Sequence, residues 1–150
     1  MSVAESPAAE SSGEVRVPVR AEDVLDAAAR LVRAFGTHDV DAYFGACAPE
    51  ASFVFHNHPV RLESREDYCR LWRDWETRDG FRVLDCRSTN QRVQLFGRTA
   101  VFTHDVRTRV RSGGEEISSD ERETIVFELR ADRWLAVHEH LSPAEAVPRA

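Results

Sequence analysis

With 150 residues, 42% of them hydrophobic and 31% charged, the chain has the size and make-up of one globular domain around a single core. Its formal charge of -6 argues against a general nucleic-acid surface, and no apolar run approaches the roughly 18 residues that span a bilayer. Neither nucleic acid nor membrane is therefore expected as a partner.

Residues 1–20 are rich in Ala, Ser, Pro and Glu, lack an apolar h-region, and read as a disordered leader; 144–150 read as a C-terminal tail, leaving a domain over 21–143. From Glu22, the recurrence of Val24, Ala28, Leu31, Val32 and Phe35 predicts an amphipathic helix that Gly36 stops. A short second helix follows in "HDVDAYFGACAP", with Asp39 as N-cap, Val40, Phe44 and Cys47 on one face, and Pro49 ending it. "ASFVFHN" reads as a strand. Ser64 caps a third helix, with Glu66 and Asp67 in its first turn and Tyr68, Leu71, Trp72 and Trp75 as an aromatic stripe. Beyond Gly80 the period changes to that of strands, near 81–96, 98–111, 115–130 and 133–141. Helices first and an antiparallel meander afterwards is the α+β pattern: helices cover one face of a curved sheet and leave a cavity between. Cys47, Cys69 and Cys86 are odd in number and show no CxxC spacing, which suggests neither a disulfide framework nor a zinc knuckle and points to a reducing, cytoplasmic setting. Cys86 is expected as a small core residue rather than a nucleophile.

The hairpins place the polar residues. A two-residue turn at Gly113 and Gly114 sets Asp105 opposite Arg122, Arg107 opposite Asp120 and Arg111 opposite Glu116, three complementary pairs on a solvated face. The other face is apolar except for His104, Glu121 and Glu123. Turning the last hairpin at Ala131 and Asp132 sets Trp134 against Leu129, Ala136 against Phe127, His138 against Ile125 and His140 against Glu123. Two rows result: His104, Glu123, His140, beside Phe102, Ile125, His138. A bulge in the last strand would move its side chains to the opposite face.

The element order, ending in the W-x-x-V-H-x-H-x-S run from Trp134 to Ser142, resembles the cone-shaped nuclear-transport-factor-2-like superfamily, in particular its SnoaL-like proteins, over about residues 20–143. "ERETIVFELRADRWLAVHEHLSP" is also similar to the closing strands of the association domain of calcium/calmodulin-dependent protein kinase II. The resemblance implies an α+β cone, a strongly bent, mainly antiparallel sheet on three N-terminal helices enclosing a cavity. It spans isomerases, cyclases, dehydratases, ligand-binding proteins and oligomerisation modules, so function is left to the residues. Where the kinase domain lines its carboxylate-binding cavity with arginines, this chain has Ile125 and Leu141, which implies a more apolar cavity.

The expected chemistry is proton transfer on a small apolar organic molecule without a cofactor or metal. Glu123 is the candidate base, His104 and His140 orient it or donate to an oxyanion, and His138, Phe102, Ile125, Phe127, Trp72, Tyr43 and His56 are the candidate ligand contacts. The outer sheet face is expected to pair in a homodimer. Three alternatives stay open: a closed polar network that fixes strand register, a non-catalytic oligomerisation or ligand-sensing module, and a metal held by two histidines and a carboxylate. His56 and His58 in "FHNHP" repeat the His-x-His spacing, but Pro59 places that pair in a turn. Trp72 and Tyr43 have a second reading as core packing.

Overall fold

The computed structural model of the chain describes residues 17–144. The expected leader and tail lie almost wholly outside the described residues. Helix α1 spans Ala21–Gly36 and buries Val24, Ala27, Ala28, Leu31 and Ala34. Helix α2, Val40–Gly45, starts at Asp39, whose side chain accepts the N–H of Ala42. Cys47, expected on a face of this helix, instead opens strand β1, Cys47–Phe55, because α2 ends at Gly45. Helix α3, Arg65–Asp79, is capped by Ser64 accepting from the Asp67 N–H at 3.0 Å, and stops at Gly80, whose φ of 62° favours glycine.

Strands β2 (Arg82–Phe96), β3 (Thr99–Ser112), β4 (Glu115–Arg130) and β5 (Arg133–Pro143) form an antiparallel meander. Strand β1 adds in parallel beside β5, giving the order β1-β5-β4-β3-β2. The β3–β4 register places all three charge pairs opposite one another as expected. Arg111 and Glu116 close to 3.5 Å, whereas Asp105 accepts from Asn90 at 3.3 Å. Gly113 and Gly114, both at positive φ, make the turn that fixes this register.

The helices pack on the concave face. At the end nearest the β4–β5 turn, that face is closed by Phe53, Phe102, Ile125, Phe127, Leu129 and Ala136, all buried. Trp72 is fully buried as well, with Phe35, Phe44 and Phe81 set against it edge-on, at centroid distances of 5.1–5.6 Å. Toward the far ends of β2, β3 and β4 the helices no longer fill the curve, and a cavity of about 340 Å³ remains. Among the described residues no helix is long and apolar enough to cross a membrane.

Candidate functional site

The last hairpin follows the expected register only to Ala136, which pairs with Phe127. There a bulge shifts the pairing by one, so that His138 lies opposite Val126, Glu139 opposite Ile125 and His140 opposite Thr124. Because side chains alternate along a strand, every residue past Val137 changes face. His138 and His140 therefore stand on the convex face, not in the cavity. His138 bonds through Nδ1 to Ser52 Oγ at 2.8 Å, and His140 is exposed. In exchange Leu141 and Glu139 turn inward, beside Phe55 and Phe53 of β1. The slip takes two imidazoles out of the apolar interior and brings a leucine in, at the cost of one buried carboxyl.

That carboxyl has a partner. Tyr43 of α2 donates its hydroxyl to Glu139 Oε2 at 2.9 Å, and the Tyr68 hydroxyl is 3.4 Å from that of Tyr43. A hydroxyl carries one proton, so Tyr43 spends its own on Glu139 and accepts from Tyr68. Glu139 is fully buried, and its Oε1 has no hydrogen-bond partner among the described residues. Burial above all, then the Glu123 charge, pushes its carboxyl well up, against a smaller lowering by the Tyr43 bond. Burial first and the Glu139 charge second push both tyrosines up as well. All three shifts favour the uncharged forms of the cluster.

Glu123 and His104 face each other across β4 and β3, as the register requires. Glu123 Oε1 lies 2.7 Å from His104 Nε2, and His104 Nδ1 lies 2.5 Å from Ser88 Oγ, which accepts from Gln91 at 2.9 Å. Burial lowers His104 to about 4, so the imidazole is neutral. Burial, then the neighbouring Glu121 charge, pushes Glu123 up to about 8. A neutral imidazole has one donor and one acceptor nitrogen. When Glu123 is protonated, it donates to Nε2 and Nδ1–H donates to Ser88; when it is ionised, Nε2–H donates to Glu123 and Ser88 donates to Nδ1. Both ring nitrogens are satisfied in either state, and in passing between them Ser88 takes the Nδ1 proton while releasing its own hydroxyl proton to solvent at the sheet edge, where it is only half-buried.

Of the expected site residues, Glu123, Tyr43 and His56 line the cavity, and His104 supports Glu123 from behind. Phe102, Ile125, Phe127 and Trp72 do not line it: the helices close down on them, and they are core. His56 sits in the turn after β1 and bonds Glu121 at 2.5 Å, while His58 lies in the same irregular segment. The His/His/carboxylate set is split between the two sheet faces, and among the described residues no group of three or more His, Cys, Asp or Glu side chains is placed to hold a metal ion. Cys86 lines the cavity, with its thiol pushed up to about 12 by burial, which leaves it unreactive as a nucleophile at neutral pH. Sequence reasoning missed Glu139, Tyr68 and Ser88. One signal for Glu139 was present: inward apolar residues of β5 change parity, from Trp134 and Ala136 to Leu141.

Solved structures share this architecture. A nuclear-transport-factor-2-like protein from Rhodospirillum rubrum is 19% identical with a TM-score of 0.70, covering 82% of this chain and 99% of its own. The calcium/calmodulin-dependent kinase II hub of S. rosetta is 22% identical at 0.67, covering 85% and 100%. A candidate dehydratase of the nuclear-transport-factor-2-like family from Streptomyces avermitilis is 20% identical at 0.66, covering 83% and 97%. At these identities the likeness is one of fold. No curated protein matches the chain. The SnoaL-like domain family matches residues 24–146, and with most of its length inside that match and the cone fold around it, the chain belongs to the SnoaL-like domain family.

Proposed function

We propose that the chain binds a small, mainly apolar organic molecule in the cavity and moves a proton to or from it through Glu123, the chemistry of an isomerase, cyclase or dehydratase that needs no cofactor. One observation carries this reading: Glu123, raised to about 8, lines an otherwise largely apolar cavity of about 340 Å³. A carboxyl tuned near the working pH is a competent general acid and base, a role worth roughly 10²- to 10⁴-fold in rate. His104 positions it and passes its proton outward. A neighbour in the same fold described as a candidate dehydratase is in keeping with such chemistry.

The test is a side-chain NMR titration of the whole chain with a panel of hydrophobic ketones, alcohols, acids and amines. Shifts at His104 and Tyr43, with His138 and His140 silent, are expected. A response at His138 and His140 with none at His104 overturns the proposal.

A second reading concerns assembly. The convex face carries Val54, Val101, Val126 and Leu135, all half-buried, while the helices pack on the other face. We infer that two copies pair there, and the hub of S. rosetta shares the fold. Light scattering that gives a dimer supports this, and a monomer at high concentration refutes it.

A further inference from the structure

The charged side chains on the largely apolar cavity wall are mostly acids, in a chain with 20 arginines and no lysine. Asp79, Glu121 and Glu123 reach its wall, and among the described residues His56 is its one basic side chain and no arginine lines it. Two of the acids are already matched: Asp79 pairs with Arg78 at 3.0 Å, and Glu121 bonds His56. Glu123 is not. His104 occupies Oε1, Oε2 has no hydrogen-bond partner among the described residues, and the side chain is only 10% exposed. Around the same space stand the rings of Phe35, Tyr43, Tyr68, Trp75 and Phe81. Aromatic faces attract cations, and more strongly where water is excluded.

We propose that the molecule this cavity selects is a compact hydrophobic amine, bound as its ammonium form with Glu123 Oε2 as counter-ion and the aromatic rings around its apolar body. The inference rests on the reading of the cavity as a small-molecule site and names the class of molecule. A carboxylate of the same shape would bring its negative charge into a desolvated space beside Glu121, keep Glu123 in its protonated form, and meet no free cation among the described residues. A neutral alcohol satisfies Oε2 with one donor but gains no charge attraction, and a charge-assisted bond is about twice as strong as a neutral one. The volume, about 340 Å³, is near the lower end of small-molecule pockets and suits a one- or two-ring body.

Binding is linked to a proton. The titratable groups around Glu123 are His104 from β3, Glu121 on its own strand, Glu139 from β5, Tyr43 from α2, Tyr68 and Asp79 from α3, Cys86 from β2, Cys47 from β1 and His56 from the turn after β1; none of them supplies a fixed positive charge. Glu123 is therefore mostly protonated in the empty cavity at neutral pH and gives up that proton when an ammonium arrives.

Calorimetric titration of the full chain with 2-phenylethylamine, 2-phenylethanol and phenylacetate, in two buffers of different ionisation enthalpy, tests this. The amine is expected to bind about tenfold or more tightly than the alcohol, to release up to about one proton at neutral pH, and to outcompete phenylacetate entirely. Glu123→Gln is expected to lose both the amine preference and the proton release while still binding the alcohol, which also shows that the variant is folded. Alcohol or acid binding as tight as that of the amine, or an amine preference that survives in Glu123→Gln, overturns the inference and leaves the cavity reading standing. If none of the three probes binds, the cavity reading falls and the inference with it.

Discussion

Glu123 and Glu139 are diagonal neighbours on adjacent strands of the concave face, since Glu139 pairs with Ile125 and Glu123 pairs with Leu141. Each lies within reach of the other's field, and two carboxylates so placed do not both ionise cheaply. Their surroundings divide the work. Glu139 is sealed in the core on a tyrosine hydroxyl, and Glu123 keeps one oxygen toward the cavity. Burial favours the protonated form of both, Glu139 as the sealed acid and Glu123 as the one that lines the cavity.

Burial favours the neutral form of Glu139, which an amide can replace. Glu139→Gln is expected to shift unfolding free energy in urea by less than about 1 kcal/mol at neutral pH, because no charge is lost and Tyr43 still finds an oxygen. Tyr43→Phe, which removes the one donor to this buried carboxyl among the described residues, is expected to cost about 1–3 kcal/mol. The reverse ranking would mean that Glu139 is ionised.

Stability follows pH with opposing signs. Glu123 is raised from its ordinary 4.5 to about 8, so its contribution is fully present below 4.5 and is lost as pH rises through 8. His104 is lowered from 6.5 to about 4, so its contribution is present above 6.5 and is lost as pH falls toward 4. The two oppose each other between about 4.5 and 6.5. Between 6.5 and 8 only the carboxyl side remains, and Tm is expected to fall with pH. Thermal melts across that window should show a slope in the wild type that is reduced in Glu123→Gln, the remainder coming from Glu139, whose carboxyl is raised as well; a flat wild-type profile contradicts the account.

The bulge at Val137 makes a face-specific prediction. His140→Ala, on the exposed convex face, is expected to leave ligand binding in the cavity unchanged within about twofold and stability within about 0.5 kcal/mol. His104→Ala removes the partner of Glu123 and is expected to weaken both and to shift the pH dependence of binding. Equal effects of the two substitutions would restore the unbulged register.

Gly36 marks the close approach of α1 to β2. A Cβ there would meet the Cβ and backbone N of Cys86 at 3.2 Å, and since the second of these cannot move freely, Gly36→Ala is expected to destabilise by about 1–3 kcal/mol by chemical denaturation. A neutral or stabilising result would show that α1 can slide away from the cavity wall.

Much of this arrangement was legible in the chain. The caps at Asp39 and Ser64, the Gly113–Gly114 turn and the charge pairs it aligns are local signals, and each agrees with the structure because the interaction lies within one element or one tight hairpin. Pairing His104 with Glu123 followed from that hairpin alone. Placing His138 and His140 beside them required the next hairpin to stay in step for eight residues past its turn, and one extra residue undid it. The energy that selects the bulge comes from outside the hairpin: Phe53 and Phe55 of β1 lie beside Glu139 and Leu141, and Tyr43 of α2 supplies the donor. The extent of the cavity was likewise hidden, because how far Trp72 and its aromatic neighbours fill the cone depends on helix packing rather than on strand alternation.

The most direct measurement is the titration of the Glu123 side-chain carboxyl by carbon-detected NMR, assigned with Glu123→Gln. A pKa near 8, with His104 neutral down to about 4, is the predicted result. A Glu123 carboxyl that titrates near its ordinary 4.5 would mean that the site is open to water, and the proton-transfer reading of the cavity would be contradicted.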